Sequence, residues 1–348
     1  MLRTARVIVP AMAFAVSLLA QSTLSGPSLG FVFDSDAKGV RPILGIPGAA
    51  TLGKPLDLGT PIVKASVSAQ QDYVLAFPSS RSLLLVRIDH GTISTDTNVD
   101  ISTVPDVIAI SPAGSAAALF YRQTAKIQVL TGLPKSITPA QSIDISGLPN
   151  SLDTLAITDD GQNVLAGFPE NTTPGSQSGE VFLIRPDGSA PRSILTVAHA
   201  SSLTVIKNTS NDTTSNTARD LLVADDVQNS LYKIADLAGG AVVTQVFGPD
   251  AKIAGPFAVQ PSLDNAKYVV VAQSGTVVIL DTNGGDPVTL KCSCTPTGLH
   301  RLNGPGSFQL TETTDGILWM LDWDPTNAVG PRFLFVPPAP SDSAERPQ

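Results

Sequence analysis

Residues 220–246 read DLLVADDVQNSLYKIADLAGGAVVTQV. Three short apolar runs, DLLVAD (220–225), SLYKIA (230–235) and AVVTQV (241–246), are separated by turns rich in Asp, Asn and Gly. Runs of this length bounded by turn formers read as strands, and turns this short join antiparallel neighbours. Just upstream, SLTVIKNTS (202–210) supplies one more apolar run ending in a polar turn. The unit is a four-stranded antiparallel sheet.

The unit recurs in both directions. The strings KASVSAQQD, VIAISPAGS, TLAITDDGQ, SLTVIKNTS, FAVQPSLDN and LHRLNGPGS align Val67, Ile110, Ile157, Ile206, Val259 and Leu302, at intervals of 43, 47, 49, 53 and 43 residues. Their mean of 47 falls within the roughly 40 to 50 residues of one four-stranded β-propeller blade. Second strands follow at 73–77, 117–121, 163–168, 220–225, 268–273 and 307–312, and third strands at 83–88, 126–131, 181–186, 230–235, 276–281 and 317–322. Fourth strands include RSILTV (192–197), AVVTQV (241–246) and RFLFVP (332–337). The second strands are almost wholly apolar, as strands covered on both faces must be. One further pair, GFVFDSDAKGVRPILGI (30–46), reads as a third and fourth strand without a first and second before it. The expectation is an all-β chain, a seven-bladed β-propeller over residues 28–337 with a reduced first blade. The alternative is six blades with the N-terminal hairpin capping an edge.

Composition agrees. With 28 Gly and 28 Pro among 348 residues, the chain carries too many helix breakers for long helices. Its acidic residues are 26 Asp and only four Glu (Glu170, Glu180, Glu312, Glu345), and Asp favours turns where Glu favours helices. The formal charge is −8 with no Lys/Arg run, which argues against nucleic acid as a partner, because phosphate binding needs clustered cations.

The N-terminus carries Arg3 and Arg6, then an apolar stretch from Val7 to Ala20 with small residues at its end. Basic, then apolar, then small is the layout of a signal peptide over residues 1–20, too short for a spanning helix. Its removal takes away two cations and lowers the charge from −8 to −10. An exported protein, periplasmic or extracellular and without stable membrane insertion after cleavage, is expected. Residues 338–348 read as a Pro-rich flexible tail.

Two segments, DLLVADDVQNSLYKIAD (220–236) and AKYVVVAQSGTVVILDTNGGDPVTL (266–290), resemble the second-to-third strand hairpins of the bacterial YVTN and NHL-like propellers. At the level of pattern the resemblance covers most of residues 28–337. It implies the fold strongly and function weakly, since such propellers include ligand binders, scaffolds and a minority of lactone hydrolases. This chain departs from the tightest repeat in its variable blade intervals and in an insertion, NTSNDTTSNTAR (208–219), read as a solvated loop.

In a propeller the strands are a rigid ring and the loops of one face carry function. The loops between second and third strands, with those leading from one blade to the next, share a face. They present Arg81, Arg122, Glu170, Asp226, Asn229, Gln273 and Asp315, together with Cys292 and Cys294. The two cysteines form a C-x-C pair that reads as a local disulfide or as two unpaired thiols. The histidines, His90, His199 and His300, show no paired metal-ligand spacing.

Two functions from different classes follow. The first is a non-catalytic exported propeller binding a protein, peptide or glycan partner through that face. The second is a lactonase-type hydrolase with a carboxylate or metal site in the central channel. Ca²⁺ suits an Asp-rich exported protein, but DSDAKG (34–39) and DWDPTN (322–327) lack the later ligands of a calcium loop and read as Asp-stabilised turns. No G-x-S-x-G nucleophile motif occurs. The catalytic assignment is therefore none, and no cofactor is assigned. Sequons at Asn171, Asn208 and Asn211 bear on a eukaryotic secretory route alone.

Overall fold

A computed structural model describes residues 26–337 except 81, 90, 102, 149–151, 170–178, 208–218, 238, 252, 314–316 and 325–328. The signal-peptide span, the C-terminal tail, the three sequons and nearly all of the 208–219 insertion thus lie outside the described residues.

Blade 1 contains β1 (Ser28–Asp34), β2 (Gly39–Ile46) and β3 (Ala49–Leu52). Blade 2 contains β4 (Ile62–Val67), β5 (Tyr73–Pro78), β6 (Ser82–Asp89) and β7 (Thr92–Asp100). Blade 3 is β8 (Val107–Ile110), β9 (Ala116–Tyr121), β10 (Lys126–Thr131) and β11 (Thr138–Asp144). Blade 4 is β12 (Thr154–Ile157), β13 (Val164–Phe168), β14 (Gly179–Ile184) and β15 (Arg192–Val197). Blade 5 is β16 (Ala200–Lys207), β17 (Arg219–Asp225), β18 (Ser230–Ala235) and β19 (Val242–Phe247). Blade 6 is β20 (Pro256–Pro261), β21 (Lys267–Ala272), β22 (Thr276–Asp281) and β23 (Val288–Lys291). Blade 7 is β24 (His300–Arg301), β25 (Ser307–Gln309), β26 (Leu318–Asp322) and β27 (Arg332–Val336). Among the described residues six sheets have four strands and the first has three, every pairing antiparallel and in sequence order. Among the described residues no helix is long and apolar enough to cross a membrane.

Apolar clusters at every blade junction hold the ring together. In blade 2, Tyr73, Leu75 and Phe77 of β5 pack toward Ala117, Leu119 and Tyr121 of blade 3. The alternate residues Val74 and Ala76 pack toward Phe31 and Val40 of blade 1. Successive side chains of a strand point to opposite faces, so a strand between two blades is apolar at every position. Blade 1 also packs on blade 7, with Leu29, Val32, Ile43 and Leu52 against Leu302, Leu318, Met320 and Val336. That contact closes the ring and establishes a seven-bladed β-propeller over the six-bladed alternative.

Residues 30–46 are not a third-plus-fourth pair, however. They form β1 and β2, and β3 follows them as the outer strand. The turn chemistry shows the equivalence: Asp34 Oδ1 accepts from the backbone N–H of Asp36 and Ala37, as Asp225 Oδ1 accepts from Val227 and Gln228 after the second strand of blade 5. Asp34 is thus an Asp-stabilised turn residue as expected, paired through Oδ2 with Arg41 at 2.9 Å. Asp322 instead ends β26 and pairs with Arg332 and the Ser307 hydroxyl.

Among the described residues blade 1 consequently has no strand inside β1, and β1 borders the channel itself. An open strand edge leaves backbone groups unpaired. Here neighbouring blades cap it: Leu29 C=O accepts from Asn303 N–H at 2.7 Å, Phe31 N–H donates to Gln71 Oε1 at 2.7 Å, and Phe33 C=O accepts from Thr313 Oγ1 at 3.4 Å. Gln71 Nε2 donates in turn to Arg301 C=O at 2.6 Å, so one side chain ties blades 1, 2 and 7. Gln71 sits in the first-to-second strand turn of its blade, at φ 58°, where the other turns of this type place Gly114, Gly161 and Asn265. A left-handed conformation is costly for a residue with a Cβ, and the capping bonds offset that cost.

Candidate functional site

The face formed by the second-to-third turns and the blade-to-blade connections carries a continuous polar ledge. It begins in blade 5. Fully buried Asp225 holds the β17–β18 turn through Oδ1 and accepts the Ala198 N–H on Oδ2 at 2.9 Å. This fixes the next residue, Asp226, beside His199, with Asp226 Oδ1 2.7 Å from His199 Nδ1. The other oxygen of Asp226 accepts from Gln273 Nε2 of blade 6 at 3.0 Å. On the opposite side His199 Nε2 lies 3.7 Å from Asp153 Oδ2, and Asp153 Oδ1 lies 4.0 Å from Arg122 of blade 3.

Arg122, Asp153, His199, Asp226 and Gln273 thus run across four blades in alternating charge and hydrogen-bonding roles. Blade 2 extends the row, since Lys64 donates to the carbonyls of Pro105 and Asp106, and Asp106 Oδ2 accepts the Arg122 N–H at 2.7 Å. Burial lowers the Lys64 ammonium pKa, with the Asp106 carboxylate opposing. The ledge is preorganised by its pairs yet presents open groups: Arg122 is 52% exposed, and Val227 at the turn tip is 63% exposed.

Of the residues the sequence singled out, Arg122, Asp226 and Gln273 are brought together. Asp226 is not the exposed loop carboxylate expected of its position; its side chain is 14% exposed and bonded on both oxygens. Asn229 positions the blade connection beside it. At φ 53° its Oδ1 accepts the Gly255 N–H at 2.7 Å, and Gly255 C=O accepts the Gln273 N–H at 2.9 Å. Arg81, Glu170 and Asp315 lie outside the described residues. Cys292 and Cys294 are joined by a disulfide, and the Cys292 N–H donates to Gly275 C=O, which places the bridge over the turn that carries Gln273. Asp153 and His199 were missed. Their signal was position, since each immediately precedes a first strand.

The central channel is the second feature. Its cavity, of about 440 Å³, is walled by the channel-facing strand of every blade, β1 among them. Phe31, Val67, Ile110, Ile157 and Val205 border it, but Phe31, Ile157 and Val205 are buried in the packing between blades, so the surface open to the channel is mixed in polarity. Blades 6 and 7 contribute a polar arc of Gln260, His300, Arg301, Gln309 and Glu312. His300 faces channel space but is enclosed by protein, and that enclosure pushes its imidazole pKa down, with Glu312 opposing. Among the described residues no three His, Cys, Asp or Glu side chains converge as a metal-binding group.

No protein-family model matches the chain, and no curated protein is similar to it in sequence. Solved structures are similar in fold. A Bacteroides fragilis protein provisionally described as a 6-phosphogluconolactonase has a TM-score of 0.56 at 14% identity, over 89% of this chain and 94% of that one. A Desulfotomaculum acetoxidans protein of unknown function scores 0.54 at 12% identity, over 90% and 100%. The WD40 repeats of RRP9 score 0.53 at 9% identity, over 80% and 81%. At these identities the likeness is one of propeller architecture.

Proposed function

We propose that this chain is a non-catalytic, exported β-propeller that binds a protein, peptide or glycan partner through the ledge face. The observation that carries the reading is the ordered row Arg122, Asp153, His199, Asp226 and Gln273, set by the rigid ring and topped by the apolar tip of Val227. A patch that combines fixed hydrogen-bonding groups with an exposed apolar residue offers both orientation and desolvated contact to a partner. Export rests on the basic, apolar, small order of residues 1–20. The resemblance of 220–236 and 266–290 to the bacterial YVTN and NHL-like propellers supports the same reading.

The competing hydrolase reading needs a base in the channel. Among the described lining residues, His300 and Glu312 are the groups suited to that role. A photo-crosslinking residue at Val227, introduced in the producing cell, tests the binding reading. A discrete adduct lost on Arg122→Glu or Gln273→Ala is expected. Adducts unaffected by either substitution contradict it.

A further inference from the structure

We propose that the outer edge of blade 5 is a self-association surface, at which β19 pairs antiparallel with β19 of a second copy of this chain about a two-fold axis. The surface lies on the circumference of the ring and is independent of the ledge reading.

β19 is the last strand of its sheet, so one of its edges has no strand partner within the blade. Its first five residues are exposed and Phe247 is half-buried. Val242, Val243 and Val246 are 61%, 41% and 38% exposed, and no other described strand holds more than one exposed large apolar side chain. Edge strands ordinarily carry a charge or a proline that discourages further pairing. The outer strands of the other four-stranded blades do so, with Asp96 in β7, Asp144 in β11, Arg192 in β15, Lys291 in β23 and Arg332 in β27. β3 has no charge but is only four residues long. β19 has six residues, no charge and no proline. A bulge falls at Val246, where Leu231 pairs with Phe247 and Tyr232 with Gln245, and it leaves Val242–Gln245 as the regular stretch.

The approach to the strand is already ordered. Arg192 of blade 4 donates to the C=O groups of Leu237 and Gly239 at 2.9 Å, and the two Asp236 carboxylate oxygens accept N–H groups of the same turn. Association therefore has little loop entropy to overcome here.

A second copy fits this edge because of its charge. About a two-fold axis each side chain near the centre meets its own kind, so an ionised residue there would oppose a like charge. β19 is uncharged, and the cation beside it, Lys233 opposite Thr244, is paired with Asp220 at 2.9 Å. Self-pairing satisfies the open backbone groups of both edges and sets the exposed valines of the two copies side by side. Four regular residues span about 13 Å, a contact smaller than the roughly 1,200 Å² of a stable interface. The dimer is accordingly reversible, with a dissociation constant on the order of 10 µM. The formal charge of −8 on each chain opposes the approach of two copies, and salt that screens it tightens the dimer.

Sedimentation velocity on the full mature protein, from about 1 to about 100 µM, tests this. A dimer that grows with concentration is expected, its dissociation constant at least about twofold lower in about 0.5 M than in about 0.05 M NaCl. Val243→Lys is expected to weaken association at least about tenfold, whereas Phe335→Lys, at a 60% exposed position of β27, leaves it as in wild type. Single cysteines placed in turn at Val242, Val243, Thr244 and Gln245 are expected to give an interchain disulfide at one or more positions, since the two native cysteines are bonded to each other. The cysteine series decides if Val243→Lys fails to fold. A wild type that stays monomeric to about 100 µM, as it would if another protein covers β19, overturns the proposal. So does a dimer that weakens in salt, survives Val243→Lys, is lost in Phe335→Lys or gives no cross-link in the cysteine series.

Discussion

Gln71→Gly isolates the device that lets a propeller close with an incomplete blade. The substitution relieves a non-glycine residue at φ 58°, a gain of about 1 to 2 kcal/mol, and adds about 0.5 to 1 kcal/mol of unfolded-chain entropy in the opposite sense. Against the small remaining gain stand the two bonds of its side chain. Loss of the 2.7 Å bond leaves Phe31 N–H buried and unsatisfied, at about 1 to 3 kcal/mol, and Arg301 C=O loses its donor, at about 1 kcal/mol. The net is a destabilisation of about 2 kcal/mol. With an unfolding entropy of about 2 cal/mol/K per residue, a ring of this size then melts about 3 °C lower. Gln71→Ala keeps the backbone strain and loses the same bonds, so it falls further, by about 3 kcal/mol. Asn265→Gly is the control, because Asn265 holds the same φ of 58° in the equivalent turn of blade 6, and it should change stability by under about 0.5 kcal/mol. Denaturant midpoints for the four proteins test the order. If Gln71→Gly equals or exceeds wild type, the side chain is not what satisfies the edge of β1.

Three further outcomes follow from the same structure. Deleting residues 28–52 strips the apolar faces of Ile62, Val74, Leu318 and Met320, so the truncated chain should aggregate or melt well below wild type by scanning calorimetry; an unchanged melting temperature in a monomer would make blade 1 an appendage. The folded-state pKa of His300 is depressed, so its contribution is fully present above the unfolded value near 6.5 and is lost as pH falls below it, because the unfolded chain then takes up the proton first. His300→Gln should therefore flatten the decline in urea midpoint between pH 7.5 and 5, and a wild-type slope that persists in the variant contradicts the assignment. Mass spectrometry of the exported protein should find a mature N-terminus at or near Gln21, whereas intact Met1 in a membrane pellet contradicts cleavage.

The repeat was legible because each blade solves the same problem with the same chemistry. An apolar second strand lies between two neighbours, and a Ser or Thr at 68, 111, 158 and 262 takes the backbone N–H five residues on. Strand rank within blade 1 was harder, since an apolar run does not declare its place in a sheet. The telling residue was Asp34, whose turn matches that of Asp225, and the sequence carries both. The ledge was half legible. Asp226, Gln273 and Arg122 occupy a constant place after second strands, while Asp153 and His199 lie in blade connections of variable length and gain meaning only across blade junctions. Gln71 was hidden for a different reason: its role is defined by the open edge of β1, which no other strand covers among the described residues.

The most direct test of a binding role over a catalytic one is turnover by the purified mature protein on a panel of lactones and esters, with and without added Ca²⁺ or Zn²⁺. Hydrolysis no faster than buffer is expected under every condition. Metal-dependent turnover that disappears in Glu312→Gln or His300→Gln would contradict the binding role and assign the channel to catalysis.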